Sequence, residues 1–227
     1  MSALSIRLLV VIPAYNAART VGEVVSGLAA FQHDVLVVDD GSRDGTAEAA
    51  SRAGARVVRL ERNQGKGRAL QRGFDLAVRE GFDAVATLDA DGQHAPDELP
   101  RFLDAFRNGA RVAVGNRMRH PGEMPLLRRL TNRFMSRLLS RLAGQPIPDT
   151  QNGFRLYAAE IIREVRTRSG GFAAESEMLL RIAARGIPIA SVPVSSLYRS
   201  EHSAIQPCID TLHFFRMLRE FRKESKI

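Results

Sequence analysis

The sequence lacks the features that mark secreted and membrane-spanning proteins. Cys208 is the only cysteine among 227 residues, so an intrachain disulfide is excluded and a reducing compartment is expected. The amino terminus has no charged-then-apolar signal pattern, no uncharged run approaches the roughly 18 residues that suggest a membrane span, and neither end carries a lipidation pattern. We therefore expect a cytoplasmic protein, either free or lying peripherally on the cytoplasmic face of the membrane.

The common nucleotide-binding and zinc-binding motifs are also missing. No G-x-x-x-x-G-K-[ST] occurs, and the Gly-Lys-Gly-Arg-Ala-Leu run at 65–70 fails G-x-G-x-x-G at its last position. A P-loop NTPase or a dinucleotide oxidoreductase is therefore not expected. The five histidines show no zinc-ligand spacing. His202 beside Glu201 is interpreted as an exposed loop histidine rather than as half of a catalytic pair.

The composition is that of a globular protein with a basic surface. Hydrophobic residues make up 44% and charged residues 26% of the chain, and the length predicts a single domain over residues 1–227. The net charge of +8 suggests an acidic partner such as a nucleotide, a nucleic acid or an anionic membrane. Because no nucleic-acid motif occurs and the arginines stand beside apolar residues in helical patterns, no nucleic acid is expected as a partner.

Short apolar runs alternate with stretches of helical period. Strands are predicted at 8–12, 35–38, 57–60, 84–88 and 112–114, and helices from Thr20 to about Ala30 and at 46–53, 68–80 and 96–108. The second half predicts an amphipathic basic segment at 125–142, a strand at 153–157, a helix at 176–185, an edge strand at 187–194 and a helix at 207–223. This order predicts an α/β fold with a mostly parallel sheet, helices on both faces and basic amphipathic helices in the C-terminal half.

Polar clusters follow the strand ends. They are Pro13-Ala14-Tyr15-Asn16, Asp39-Asp40, Gly65-Lys66-Gly67 and Asp89-Ala90-Asp91. Ligands of open α/β sheets bind outside the carboxyl ends of the strands, so these clusters predict one shared crevice. Asp40 could accept hydrogen bonds from a base or ribose, and Lys66 with nearby backbone amides could meet phosphate oxygens.

The stretch from Asp83 to His94 is the centre of this arrangement. An apolar run, Ala84 to Leu88, ends in Asp89 and Asp91, and Gln93 adds an amide oxygen. Carboxylate and amide oxygens suit hard cations, which often share the phosphates of a ligand. The stretch therefore predicts a site for Mg²⁺ or Mn²⁺ at Asp89, Asp91 and Gln93.

Six motifs in this order resemble those of the family 2 glycosyltransferases with the GT-A fold. They are residues 11–16 (VIPAYN), 37–46 (VVDDGSRDGT), 63–67 (NQGKG), 88–94 (LDADGQH), 114–117 (VGNR) and 149–155 (DTQNGFR). Within that family, the sequence resembles most the dolichyl- and polyprenyl-phosphate mannosyl- and glucosyltransferases. The resemblance implies an inverting, metal-dependent transfer of a sugar from a nucleoside-diphosphate sugar to a polyprenyl phosphate.

The resemblance also implies roles for individual residues. The nucleotide-sugar site would include Pro13, Ala14, Tyr15, Val38, Asp40, Lys66, Asp89, Ala90, Asp91 and Arg117. Arg117 would meet the donor diphosphate or the acceptor phosphate. Members often carry Glu after Pro-x-Tyr-Asn, whereas Ala17 stands there in this chain, so nucleoside recognition by that carboxylate is not expected.

Two acceptor classes remain open at this point. A lipid phosphate is already ionised and needs positive charge rather than a base, for which Arg117, Arg128, Arg129, Arg133 and Arg199 are candidates. A saccharide or other hydroxyl acceptor needs a general base, and Glu175, Glu177 and Asp149 are the candidates. The alternative to an enzyme is a protein that binds a nucleotide sugar or a nucleic acid without catalysing a reaction. The catalytic set predicted from these considerations is Asp91, Arg117, Glu175 and Asp149.

The segment 125–142 has two interpretations. Arg129, Arg133, Arg137 and Arg141 recur every four residues beside Leu130, Phe134, Leu138 and Leu142. This stripe predicts either a helix that docks on an anionic membrane surface or a helix that packs its leucines on the core.

Overall fold

The computed structural model describes residues 6–119, 122, 124–171, 173–195, 197 and 207–224. The strands are β1 Leu8–Ala14, β2 Asp34–Asp39, β3 Arg56–Arg59, β4 Ala84–Thr87, β5 Val112–Asn116, β6 Arg155–Ala158 and β7 Ala190–Pro193. The α-helices are α1 Val21–Leu28, α2 Thr46–Arg52, α3 Lys66–Arg79, α4 Leu99–Arg107, α5 Leu126–Ala143, α6 Ala159–Glu164, α7 Ala173–Ala183 and α8 Pro207–Glu224.

The strands form one mixed sheet in the order β3-β2-β1-β4-β6-β5-β7. The neighbours from β3 to β4 are parallel, as are β5 and β7, whereas β6 runs antiparallel between β4 and β5. The mostly parallel sheet is therefore confirmed, and so is the edge position of the last strand. The reversed insertion of β6 was not predicted, because the direction of a strand depends on partners distant in the sequence.

Strand β1 shows why both faces of the sheet are covered. Leu9 and Val11 point into the apolar cluster that includes Phe74 of α3, while Val10 and Ile12 point into the cluster that includes Phe102 of α4. All seven residues of β1 are buried. A strand of a parallel sheet that lacks alternation between apolar and polar residues is buried on both faces, as its sequence predicts.

A third apolar cluster joins the C-terminal helices. Leu139 of α5 packs with Leu180 of α7 and with Phe214, Met217 and Leu218 of α8. Only the C-terminal half of α5 takes part, so its leucines pack on the core there but not further toward its amino end. None of the described helices is both long and apolar enough to cross a membrane.

Helix α3 begins at Lys66, two residues before its predicted start. Gly65 precedes it with φ +90°, a conformation that suits glycine. Gly67, expected in a loop, is packed so closely that a Cβ atom there would lie 2.5 Å from the Cβ of Ala174. The amino end of α3 therefore lies directly against the start of α7.

Candidate functional site

The carboxyl ends of β2, β1 and β4 lie side by side in the sheet, and the loops that follow β1 and β2 are hydrogen-bonded to each other. The amide of Asn16 donates to Ser42 Oγ at 2.9 Å, and the amide of Ala17 donates to Thr46 Oγ1 at 2.8 Å. The first two polar clusters therefore meet, as the strand order predicts.

Asp40 holds the loop that leads into α3. Its two carboxylate oxygens accept the amides of Gln64 at 2.8 Å and Gly65 at 2.7 Å. Burial raises the pKa of Asp40, and these two hydrogen bonds oppose that rise. The carboxylate thus positions the backbone next to Lys66, and its expected contact with a base or ribose stays a prediction.

The residues expected around the nucleoside differ in exposure. The side chain of Tyr15 is exposed, with 45% of its surface accessible. Pro13 and Ala14 are buried in β1, and Ala90 is buried beside it. Val38 is fully buried in the cluster under α3. Val38 therefore offers a ligand no side-chain surface.

Asp89 lies in a cluster of ions at the end of β4. Lys66 Nζ is 2.6 Å from Asp89 Oδ1 and 2.7 Å from Glu175 Oε2, and His94 Nε2 is 3.3 Å from Asp89 Oδ2. Burial would raise the pKa of Asp89, but Lys66 and His94 hold it well below its ordinary value. Burial would likewise lower the pKa of Lys66, but the two carboxylates raise it overall. Asp89 and Lys66 are therefore both ionised.

Asp91 is the second carboxylate at this strand end. It accepts the amide of Gln93 at 2.9 Å, and its pKa is raised by burial first and by the charge of Asp89 next. The described residues contain no cluster of three or more His, Cys, Asp or Glu suited to hold a metal ion. A raised pKa beside a second carboxylate suits a divalent cation that takes its remaining ligands from bound phosphates, so the donor set fits Mg²⁺ or Mn²⁺. Gln93 Oε1 lies 3.4 Å from Arg128 Nη2.

Arg117 and Asp149 form a buried pair. Arg117 donates through Nε at 2.8 Å and Nη2 at 3.0 Å to the two oxygens of Asp149, and its amide donates to Oδ2 at 3.1 Å. The side chains are 4% and 0% exposed. Both oxygens of Asp149 are engaged by Arg117, and its expected role as a general base stays a prediction. The contact of Arg117 with a phosphate stays a prediction.

Glu175 and Glu177 lie on α7 but face different surroundings. Glu175 contacts Lys66 at the ion cluster, whereas the carboxylate of Glu177 accepts the amides of Arg168 and Ser169 and the Nε of Arg181. Glu177 therefore anchors the loop before α7, and its expected role as a base stays a prediction. Burial would raise the pKa of Glu177, but these hydrogen bonds lower it overall.

Arg155 is a residue of the site that the sequence interpretation missed. It is 1% exposed, and it donates to the carbonyl oxygens of Asn152, Thr150 and Glu175 at 2.7, 2.9 and 2.9 Å. An arginine inside an apolar strand could have signalled this function, since a buried guanidinium needs several acceptors. Arg155 joins the loop after Asp149 to the start of α7.

A protein-family model described as Glycosyl transferase family 2 matches residues 9–166, which include Asp40, Lys66, Asp89, Asp91 and Arg117. The chain belongs to that family. The family 2 chain is 34% identical over 198 residues to glycosyltransferase AglJ of Haloferax volcanii, covering 84% of this chain and 63% of that protein. It is 35% identical over 205 residues to a dolichyl-phosphate hexose transferase of the same organism, covering 88% and 87%.

The family 2 chain also resembles solved structures. The crystal structure of glucosyl-3-phosphoglycerate synthase from Mycobacterium tuberculosis in complex with Mn²⁺ and uridine-diphosphate-glucose matches with a TM-score of 0.77. The match covers 98% of this chain and 80% of that chain at 21% identity. The likeness concerns the fold, and the expected GT-A fold is confirmed.

In this family 2 glycosyltransferase the arginines of α5 differ in their exposure and in their contacts. Arg128 reaches Gln93, and the Nε atom of Arg129 is buried without a hydrogen-bond partner. Arg133 is half-buried and Arg137 is exposed. Arg199, Glu201 and His202 lie outside the described residues.

Proposed function

We propose that this chain transfers a sugar from a nucleoside-diphosphate sugar to a polyprenyl phosphate, with inversion at the anomeric carbon and with a divalent cation. The observation that carries the proposal is the pair of carboxylates, Asp89 and Asp91, at the end of β4, where burial first and the charge of Asp89 next raise the pKa of Asp91. A divalent cation held by Asp89, Asp91 and Gln93 would supply positive charge to the departing diphosphate.

The state of the candidate bases favours a phosphate acceptor. Glu175 is engaged by Lys66, Asp149 by Arg117, and Glu177 by the 168–169 amides and Arg181. An ionised phosphate oxygen can form the new bond to the anomeric carbon without giving up a proton. The bond to the diphosphate oxygen breaks on the opposite side, and its electron pair leaves with the diphosphate. The relative named as a dolichyl-phosphate hexose transferase supports the same acceptor class.

The outward face of α5 supports a lipid acceptor. Leu126, Leu127, Leu130 and Phe134 are 69%, 78%, 53% and 63% exposed, while Asn132, Ser136 and Leu139 face inward. Exposed apolar residues among arginines are typical of a helix that lies in a membrane interface. We propose that this outward face of α5 docks on anionic lipid at the cytoplasmic face of the membrane and brings the lipid phosphate to Arg128, Arg129 and Arg133.

Thermal-shift measurements with UDP-, GDP- and dTDP-sugars, with and without Mn²⁺, test the donor site. We expect one nucleotide class to stabilise the protein, and to do so more strongly with Mn²⁺ than without it. The absence of any stabilisation by all three classes in Mn²⁺ would contradict the proposed donor site.

A further inference from the structure

The Asp89 carboxylate, which the proposed function gives to a divalent cation, already has a cation in contact. Lys66 Nζ lies 2.6 Å from one of its oxygens. The same ammonium lies 2.7 Å from Glu175. Lys66 therefore bridges two carboxylates, one that belongs to the cation site and one that does not.

The backbone is tightly held at both Lys66 and Glu175. Lys66 follows Gly65, whose amide is bound by Asp40, and precedes Gly67, which is packed against Ala174. The carbonyl oxygen of Glu175 accepts Arg155 Nη1 at 2.9 Å, and its carboxylate lies 3.7 Å from Arg155 Nη2. Because the backbone is fixed on each side, the adjustable part is the flexible side chain of Lys66.

We propose that Lys66 is the resident counter-ion of Asp89, and that Glu175 is the positioning residue that keeps the ammonium when a divalent cation takes its place at Asp89. The inference rests on the proposed function, since it concerns the same cation site. An ammonium and a divalent cation that share one carboxylate repel each other strongly at such distances. Glu175 offers Lys66 a second partner within its present reach, so Lys66 can release Asp89 without losing every ionic contact.

This arrangement makes two substitutions act in opposite directions on cation affinity. Removing the charge of Lys66 removes the competitor, so Lys66→Met should bind Mn²⁺ more tightly, by about tenfold or more. Removing the charge of Glu175 removes the carboxylate that competes with Asp89 for Lys66, so Glu175→Gln should bind Mn²⁺ about tenfold more weakly. If Glu175 acted only as a general base, these two substitutions would not change Mn²⁺ affinity in opposite directions.

The measurement is Mn²⁺ binding by electron paramagnetic resonance in the absence of any nucleotide, so that contacts of Lys66 with phosphate do not contribute. Lys66→Arg keeps the charge and should bind Mn²⁺ as the wild type does. Arg68→Met removes a positive charge from an exposed position on the same helix and should also change little. If Lys66→Met fails to fold, Lys66→Gln, which keeps a polar group between the carboxylates, should show the same tightening.

The double variant tests whether Glu175 acts through Lys66. In the Lys66→Met background, Glu175→Gln should weaken Mn²⁺ binding by about twofold or less, which is the direct effect of a distant charge. An equal weakening in both backgrounds would overturn the positioning role of Glu175. Unchanged or weaker binding in Lys66→Met would overturn the counter-ion role of Lys66.

The failure of this inference differs from the failure of the proposed function. If the wild type binds Mn²⁺ and Lys66→Met binds it no more tightly, the inference fails and the cation site stands. If the wild type takes up no Mn²⁺ with or without UDP, the cation site fails, and the inference fails with it.

Discussion

Arg117 and Asp149 are 32 residues apart in the chain, yet the guanidinium donates two hydrogen bonds to the carboxylate, at 2.8 and 3.0 Å, in a buried setting. The pair joins the end of β5 to the loop that leads into β6. Two charged groups removed from water in this way depend on each other, because removing either side chain would leave the other buried without its opposite charge.

Arg117→Ala should therefore destabilise the fold, by about 3–5 kcal/mol, because it leaves Asp149 buried and unpaired. Urea unfolding monitored by circular dichroism measures the change. Arg119→Ala, at an exposed position in the same turn, is the matched control and should have little effect. A loss of activity in Arg117→Ala with unchanged stability would show instead that the guanidinium serves the ligand alone.

Glu177 should give the fold a pH-dependent contribution. Its pKa in the folded state lies below the ordinary value of 4.5, so its stabilisation is present above that value and is lost as the pH falls through the folded pKa. Glu177→Gln should cost about 2–3 kcal/mol near neutral pH, because hydrogen bonds to an ionised carboxylate are lost.

The gap in unfolding free energy between wild type and Glu177→Gln should narrow as the pH falls below 4.5. Urea unfolding at a series of pH values checks this, with Glu61→Gln at an exposed site as the control that shows no such gap. If the difference in unfolding free energy between wild type and Glu177→Gln stays constant down to acidic pH, the charge of the Glu177 carboxylate does not hold the 168–169 loop.

Glu175 separates the two acceptor classes. With a phosphate acceptor and saturating Mn²⁺, Glu175→Gln should keep turnover within about tenfold of the wild type, because no proton has to be removed. With a hydroxyl acceptor the same change should cost about 10²–10⁴-fold in kcat, the usual effect of losing a general base. The rate must be measured at several Mn²⁺ concentrations, so that weakened cation binding is separated from slower chemistry.

The outward face of α5 should bind anionic vesicles in a salt-sensitive manner. Each arginine near an anionic surface is worth about 1 kcal/mol, so the combined Arg129, Arg133 and Arg137→Glu variant should lose about a hundredfold or more in vesicle affinity. Co-sedimentation with anionic and with neutral vesicles measures this.

The control for α5 reverses three exposed charges elsewhere, at Arg68, Arg72 and Arg79 of α3. This variant should keep most of the vesicle binding. Equal binding of the wild-type protein to neutral and anionic vesicles at low salt would rule out electrostatic docking by α5.

The first half of the fold was predictable because its signals are local. The apolar runs of β1, β2 and β4 and the polar residues that follow them are contiguous in sequence, and the parallel arrangement places their ends together. The carboxylates Asp89 and Asp91 were located in this way.

The parts that were missed depend on residues far apart in the chain. The reversed strand β6, the burial of Arg155 within it and the pairing of Arg117 with Asp149 follow from tertiary contacts that no local pattern encodes. The same holds for Glu175 and Glu177, which are two residues apart on one helix and therefore face different surroundings. The spacing could not tell which of them reaches Lys66.

The most direct test of the proposed function is the transfer of a labelled sugar into lipid. The protein is incubated with Mn²⁺, polyprenyl phosphate and labelled UDP-, GDP- or dTDP-sugars in turn, and the organic phase is counted. We expect one donor class to label the lipid, with the label lost on chelation and in Asp91→Ala, while Asp97→Ala at an exposed neighbouring site retains it. An unlabelled lipid with every donor, or undiminished transfer by Asp91→Ala, would contradict the proposed reaction.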